Sequence, residues 1–418
     1  MEVFNMENVH VSIEKYIDLV PNRTDARPEW DWTAAFDALM NDPAVQVFLP
    51  PGTYRVRFPK AITKLKTING EGATLYSRGA LNLEAHGIRI IGLTIAGKTP
   101  DGTQLSEGHG ITLLGVNNIE IIRCNLQDIN HNAIQFSNKV NYSTNIKIDS
   151  CKINNIGIST TKIETEGMGI YVQHGKNVLI TNCIISQTYG QSGIMIQKAN
   201  TVAVEHTLIE DTKYRGIQTF AGTSSTDLTD VINNIIIFRC TIRRTGELNQ
   251  TGNGLATNGV FIRNPKGRPE DVKITHTLIE YCGENFIEGT FDAQFNTFKF
   301  SGWYDSLETP SKEGLYPHSR AIIAHNKIIS SKKEGVKLFG NRVDVIVQGN
   351  LIIDSGISGV LVQAHGAGTI ATGIIVVDNI IRDTKQQTVR GVELVASQGG
   401  VLDTANIINE RNHVLGIS

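Results

Sequence analysis

The sequence has almost no net charge. Lys and Arg number 39 against 41 Asp and Glu, a formal charge of −2 over 418 residues. No block of roughly five or six like charges occurs, which argues against a nucleic-acid footprint and a polybasic membrane anchor. No apolar run approaches the ~20 residues that a membrane-spanning helix needs. The opening stretch, Met1 to Lys15, is polar and mixed in charge, without the basic-then-apolar layout of a secretory signal. Export without such a signal, removal of one, or action at the place of synthesis all stay open. Cysteine is scarce. The five residues Cys124, Cys151, Cys183, Cys240 and Cys282 are odd in number and form no tight CxxC pair. That pattern fits neither a disulfide framework nor a zinc knuckle.

What the chain has instead is self-similarity. One motif is a small residue, an aliphatic, any residue and usually another aliphatic. It reads Gly110-Ile111-Thr112-Leu113, Gly169-Ile170-Tyr171-Val172 and Gly193-Ile194-Met195-Ile196. Gly216-Ile217, Gly259-Val260, Gly335-Val336, Gly359-Val360 and Gly391-Val392 continue it, with Ala133-Ile134 and Phe286-Ile287 as looser copies. A second motif follows: aliphatic, any, aliphatic, two residues, then a small or polar residue. Ile119-Glu120-Ile121 leads to Cys124, and Val345-Ile346-Val347 leads to Asn350. The last position aligns as Leu93, Cys124, Cys151, Cys183, Thr207, Cys240, Thr277, Asn326, Asn350 and Asn379.

Alternation with period two means strands with one face in and one out. The shortest repeat is the 24 residues from Gly169 to Gly193. Short strands at such a period, with no helical stretch between them, make each repeat one coil of a solenoid. The expected fold is all-β: a single-stranded right-handed parallel β-helix of about ten to twelve coils, rungs roughly 4.8 Å apart. Residues 1–60 form the expected N-terminal helix-and-strand cap and 61–418 the β-helix. Four of the cysteines share one rung position with Thr and Asn, an internal ladder of small side chains, and Asn can hydrogen-bond along such a stack.

Within the cap, Trp32 through Leu39 reads as a short amphipathic helix, followed by a strand from Val45 to Leu49 and the turn Pro50-Pro51-Gly52. An uncapped solenoid end would expose strand edges and apolar core. Asp31-Trp32-Thr33-Ala34-Ala35-Phe36-Asp37-Ala38-Leu39, with Val47-Phe48-Leu49-Pro50-Pro51-Gly52-Thr53-Tyr54, resembles the opening of the pectate-lyase-like superfamily. That superfamily includes phage tailspike depolymerases, polygalacturonase-related hydrolases and alginate epimerases. With the coils, the resemblance spans nearly the whole chain. It implies the fold and a polysaccharide ligand, but not one reaction, because these families place different chemistry on one scaffold. It also implies an extracellular or virion-associated location and leaves a homotrimer open. No nucleic-acid or membrane partner is expected.

Insertions fall on both sides of the Gly-Ile strand, at 96–109, 155–168 and 244–258 before it and at 138–144, 221–233, 264–271 and 289–320 after it. They are expected to wall a cleft over that sheet's outer face. Alternation turns Gln135, Ser137, Tyr171, Gln173, Met195, Gln197, Gln218, Phe220, Phe261, Arg263, Glu288, Thr290, Lys337, Phe339, Leu361, Gln363 and Glu393 outward. Of these Tyr171, Gln173, Gln197, Gln218, Phe220 and Phe261, with Trp303 and Tyr304 from the longest loop, are the expected sugar contacts. Aromatic faces stack on sugar C–H groups and amides bond hydroxyls; covering the sheet beneath loops is the plainer alternative.

Glycoside hydrolysis needs two carboxyl groups. Glu288 is the one outward carboxylate in mid-sheet, and Arg263 and Lys337 are its expected neighbours, one rung away on either side. Asp292 is the expected second carboxylate, with Glu284, Glu164 and Glu166 in reserve. The same cluster suits β-elimination from a uronic acid, with Arg263 or Lys337 meeting the substrate carboxylate. Hydrolysis needs no cofactor or metal; a lyase would add calcium held by Glu288 and Asp292. A C5-epimerase and a non-catalytic glycan-binding module remain alternatives, as does a plain surface ion-pair ladder. His109, His131, His174 and His365 lie near strand ends and read as solvated loop residues or, alternatively, as a catalytic base.

Overall fold

A computed structural model gives the structure of the chain. It describes residues 10–21, 23–57, 59–104, 106–136, 142–158, 166–221, 232–246, 248, 257–263, 271–303, 312–385 and 390–416. Among these residues the strands run parallel in three long sheets, and each coil visits the sheets in turn. The fold is a right-handed parallel β-helix. Sheet one contains Ser143–Asp149 and Gly175–Thr181, sheet two Lys152–Ile156 and Ile184–Thr188, and sheet three Ile134–Phe136 and Ile170–Gln173. No described helix is long and apolar enough to cross a membrane. The chain divides into two compact units, 1–194 and 195–418.

The first unit begins with the cap. The helix Thr33–Asn41 buries Ala35, Phe36, Leu39 and Met40. Trp32 is fully buried, its ring edge-on to Tyr54 at 5.0 Å. Asp42 anchors the cap by accepting from Lys15 Nζ at 2.8 Å, from Tyr16 Oη and from the Ala44 N–H at 2.8 Å. In the coils that follow, inward residues stack in register. Ile119, Ile146 and Val178 form one buried column, and Leu126, Ile153 and Ile185 another. Each such side chain contributes about 1.5–3 kcal/mol by leaving water.

Between sheets one and two the chain turns on a single left-handed residue. Arg123, Ser150 and Asn182 have φ of +53°, +56° and +54°. The next residues are Cys124, Cys151 and Cys183, which fall in one column because Asn125, Lys152 and Ile184 pair in register. The tight corner favours a small side chain: Cys151 Sγ lies 3.4 Å from the Ile121 carbonyl oxygen. The thiols form no disulfide and are buried.

In the second unit the same corner carries Thr207, Cys240 and Thr277 and then asparagines. Asn296, Asn326, Asn350, Asn379 and Asn412 form a continuous ladder. Each backbone N–H and each Nδ2 from Asn296 to Asn379 donates to Oδ1 of the next, at 2.9–3.1 Å. Each Nδ2 also donates to an inner carbonyl, as Asn326 does to Ala293 at 2.8 Å. The fifth cysteine, Cys282, sits in another column of small residues, with Thr212, Thr245, Ser301 and Ser331.

The segment 289–320, expected as the longest loop, contains a full coil. Asp292–Gln294 belongs to sheet one, Thr297–Ser301 to sheet two and Leu315–Pro317 to sheet three. Its inward residues include Phe291, Ala293 and Phe298, so the aliphatic pattern does not detect it. Most of the other expected insertions lie outside the described residues in whole or in part.

Candidate active site

The site belongs to the second unit and is built on sheet three. The strands Arg215–Phe220, Val260–Arg263, Ile287–Gly289, Leu315–Pro317 and Val336–Phe339 carry it. Their inward Ile217, Val260, Ile287, Leu315 and Val336 are buried, which turns the next residue of each strand outward. Gln218 pairs with Phe261, Phe261 with Glu288, and Glu288 with Tyr316. Lys337 follows on the coil after Tyr316.

Three residues before each outward position lies a buried polar residue at the corner entering the strand: Arg215, Asn258, Asn285, Glu313 and Glu334. This second column meets the first. Arg215 Nη1 donates to Gln218 Oε1 at 2.9 Å. Asn258 Nδ2 and Asn285 Nδ2 donate to Glu288 Oε2 at 3.0 and 3.3 Å. Lys337 Nζ donates to Glu313 Oε1 at 2.6 Å and lies 3.9 Å from Glu334 Oε2. Glu313 is 1% exposed, and its Oε2 has no hydrogen-bond partner among the described residues.

The electrostatics separate the groups. Burial holds the Glu288 carboxyl above the usual range, although Asn258, Asn285 and Arg215 oppose the shift; Glu313 adds to it. Burial would lower Lys337, but its bond to Glu313 prevails and keeps the ammonium charged. Burial lowers the Arg215 guanidinium to about 10. Burial raises the Tyr316 hydroxyl and lowers the Arg342 guanidinium, and with Arg342 beside it lowers His318 to about 4. Three guanidiniums lie on aromatic rings: Arg215 on Phe261 at 4.4 Å, Arg263 on Phe220 at 5.2 Å and Arg342 on Tyr316 at 5.6 Å. Among the described residues none of the three forms an ion pair with a carboxylate.

The structure changes the expected neighbourhood of Glu288. Phe261 and Tyr316 are its rung neighbours, in place of Arg263 and Lys337, because the coil at 292–317 intervenes and because Arg263 pairs with Phe220 instead. Asp292 is not brought to Glu288. The chain turns the corner between them, and Asp292 pairs on sheet one with Lys273 and Ile322 while accepting from Gln294 Nε2 at 2.7 Å. Gly289 makes this corner at φ +129°; a Cβ there would lie 2.3 Å from the Ile262 carbonyl oxygen. Glu284 is buried and accepts from the Thr257 N–H at 2.8 Å.

Phe220 and Phe261 are half-buried, as are Gln173 and Gln197, whereas Tyr171 and Gln218 are covered, at 5% and 4% exposure. Trp303 is 52% exposed and stands edge-on to Tyr281 at 4.9 Å. Tyr304, Ser137 and Glu164 lie outside the described residues. In the first unit, His131 Nε2 is 3.5 Å from Glu166 Oε2, and its ring stands edge-on to His109.

Sequence reasoning missed Arg215, Asn258, Asn285, Glu313, Tyr316 and Glu334. The available signal was a polar residue three before each outward one, as in Asn285-Phe286-Ile287-Glu288. The carboxylates do not fit a calcium ion. Glu313 is tied to an ammonium, Glu288 Oε2 takes two amide N–H groups, and no described cluster of His, Cys, Asp and Glu could hold a metal.

Chemically, the arrangement offers one carboxyl whose burial favours its protonated form and a second held by a cation. That is the division of labour of an acid and its partner.

Residues 109–302 match the family model described as right handed beta helix region. No curated protein matches the chain. Among solved structures it is similar to a tailspike protein mutant of E. coli bacteriophage HK620 in complex with pentasaccharide. The identity is 10%, with 93% of this chain and 78% of that one covered, at a TM-score of 0.50. It is similar to the surface protein and adhesin PfbA of Streptococcus pneumoniae, at 12% identity, 98% and 100% coverage and a TM-score of 0.50. The mannuronan C-5 epimerase A-module of Azotobacter vinelandii matches at 12% identity, 98% and 100% coverage and a TM-score of 0.42. Parallel strands in three sheets, the columns of stacked side chains and the matched region together give this chain a right-handed parallel β-helix fold.

Proposed function

We propose that the protein is a polysaccharide-cleaving glycoside hydrolase in which Glu288 is the general acid and Glu313 the second carboxylate. The observation that carries this reading is the buried Glu288 carboxyl, whose burial makes its proton harder to lose, one coil from a buried carboxylate paired with Lys337. Hydrolysis needs an acid that still carries its proton when the glycosidic bond breaks and a second carboxyl group beside it.

In the step itself the Glu288 proton passes to the glycosidic oxygen as the C–O bond breaks, and the leaving oxygen keeps the electron pair. Glu313 faces the positive charge that develops on the sugar; water then adds to that carbon, and the proton it releases passes to the carboxylate left on Glu288. Phe261 and Tyr316, on the rungs either side of Glu288, offer ring faces to neighbouring sugars. The tailspike similar in fold was solved with a pentasaccharide, and a glycan is the ligand proposed here.

One observation favours a second reading. The guanidiniums of Arg215, Arg263 and Arg342 lie on rings without a carboxylate partner among the described residues. They suit a uronic-acid polymer, which a lyase cleaves by elimination, Lys337 or an arginine neutralising the sugar carboxylate. Incubation with a panel of neutral and acidic glycans separates the two. Hydrolysis yields reducing ends alone; elimination adds the ultraviolet absorbance of a new carbon–carbon double bond. Neither signal across the panel, with binding retained, contradicts both readings.

A further inference from the structure

The two amides beside Glu288 reach the same oxygen. Asn258 Nδ2 is 3.0 Å and Asn285 Nδ2 3.3 Å from Oε2, and among the described residues no donor reaches Oε1. Neither amide can flip without loss. Asn258 Oδ1 accepts the Asn285 N–H at 3.3 Å, and Asn285 Oδ1 accepts the Glu313 N–H at 3.0 Å. Backbone thus claims the oxygen of each amide, and its nitrogen must face the carboxyl.

We infer that Asn258 and Asn285 are positioning residues that fix the transferable proton of Glu288 on Oε1, an inference that rests on the acid role given to Glu288 above. An oxygen that accepts two N–H bonds keeps the carbonyl role of the protonated acid, so the hydroxyl is the other one. When the Oε1 proton moves to the glycosidic oxygen and the C–O bond breaks, negative charge appears on the carboxylate. The amide bonds strengthen as it does, because hydrogen bonds to charged groups are the stronger kind. The pair therefore aims the acid before the step and stabilises its product after it.

The same donation sets when the acid lets go of its proton. Burial favours the neutral form and the two amides the charged one. The other charged or titratable groups facing Glu288 are Arg215 from the preceding side, which favours ionisation, and Glu313, which opposes it. Tyr316 on the following coil and Arg342 beyond it also interact with Glu288.

The test is a carbon-13 NMR titration of glutamate carboxyls in the full chain without glycan, with Glu288→Gln to assign the signal. Asn258→Asp and Asn285→Asp keep the Oδ1 that the backbone uses but have no N–H to give. Asn258→Leu and Asn285→Leu remove the donor without adding charge. Each of the four is expected to raise the Glu288 midpoint by about one pH unit. With a glycan that the wild type cleaves, the alkaline limb of the rate profile moves up with it. A midpoint that stays in place in the leucine variants overturns the inference; where leucine prevents folding, an unmoved midpoint in the aspartate variant overturns it equally. Full activity of Glu288→Gln would instead remove the acid role while leaving a shifted midpoint intact.

Discussion

Lys337 Nζ donates to Glu313 Oε1 across one coil at 2.6 Å, and both side chains are largely covered, at 17% and 2% exposure. Removing the cation strands a buried carboxylate. Lys337→Ala is expected to cost about 3–5 kcal/mol of unfolding free energy. Adding Glu313→Leu should recover much of that loss by removing the unpaired charge. Urea melts of the single and double variants measure it; a single variant as stable as the parent contradicts the pairing.

The asparagine ladder should behave as one unit. In Asn350→Ala the N–H and Nδ2 of Asn326 lose their acceptor, and the Ile323 carbonyl loses a donor. Several buried groups go unsatisfied at once, so the expected cost is about 2–4 kcal/mol, read from the denaturation midpoint. A cost near zero would mean that water or neighbours replace the amide.

The thiols should be inert. Burial pushes Cys240 and Cys282 up to about 12; the neighbouring Cys151 thiol draws Cys124 below the ordinary thiol value, but all five are buried, and a thiol reacts only as a thiolate that the reagent can reach. A thiol reagent at neutral pH is expected to label none of the five cysteines in the folded protein and all of them in guanidinium. Fast labelling of the folded form contradicts the ladder reading.

Stability should fall as the solution is acidified from about 6.5 toward 4, and His109 is one reason. Burial, with His131 beside it, lowers its imidazole to about 4, and its Nδ1 accepts the Asn132 N–H at 3.1 Å. Between that value and the ordinary ~6.5 the unfolded chain binds more protons than the folded one, so stability is complete above this window and lost as pH falls through it. His109→Gln, which keeps an acceptor but cannot titrate, should flatten the melting-temperature profile there. An unchanged slope removes His109 from the account.

The solenoid was legible because its chemistry repeats. Aliphatic residues at most inward positions and small ones at most tight corners leave a periodic trace, and Cys124, Cys151 and Cys183 lie in the column their spacing implies. The trace fades where packing uses other shapes. Phe291, Ala293 and Phe298 fill the core of one coil with the same effect and no aliphatic signature. Missing that coil shifted the rung count by one and put Lys337 beside Glu288 where Tyr316 stands. Glu288 was readable as an outward carboxylate. Asn258, Asn285 and Glu313 left only the fainter trace of a polar residue three before an outward one, because residues at a strand's entrance follow no alternation and their direction depends on where the corner falls. Asp292 lies only four residues from Glu288, but a corner separates them and puts it on another sheet.

The most direct measurement compares Glu288→Gln with the parent on a glycan that the parent cleaves, reading reducing ends, with the thermal melt recorded alongside. Glutamine keeps the shape, and its carbonyl oxygen in the place of Oε2 can still accept from both amides, but it has no acidic proton to give. The expected result is a rate lower by about 10²–10⁴-fold with the fold retained. A folded variant that cuts the glycan as fast as the parent would contradict the acid role of Glu288.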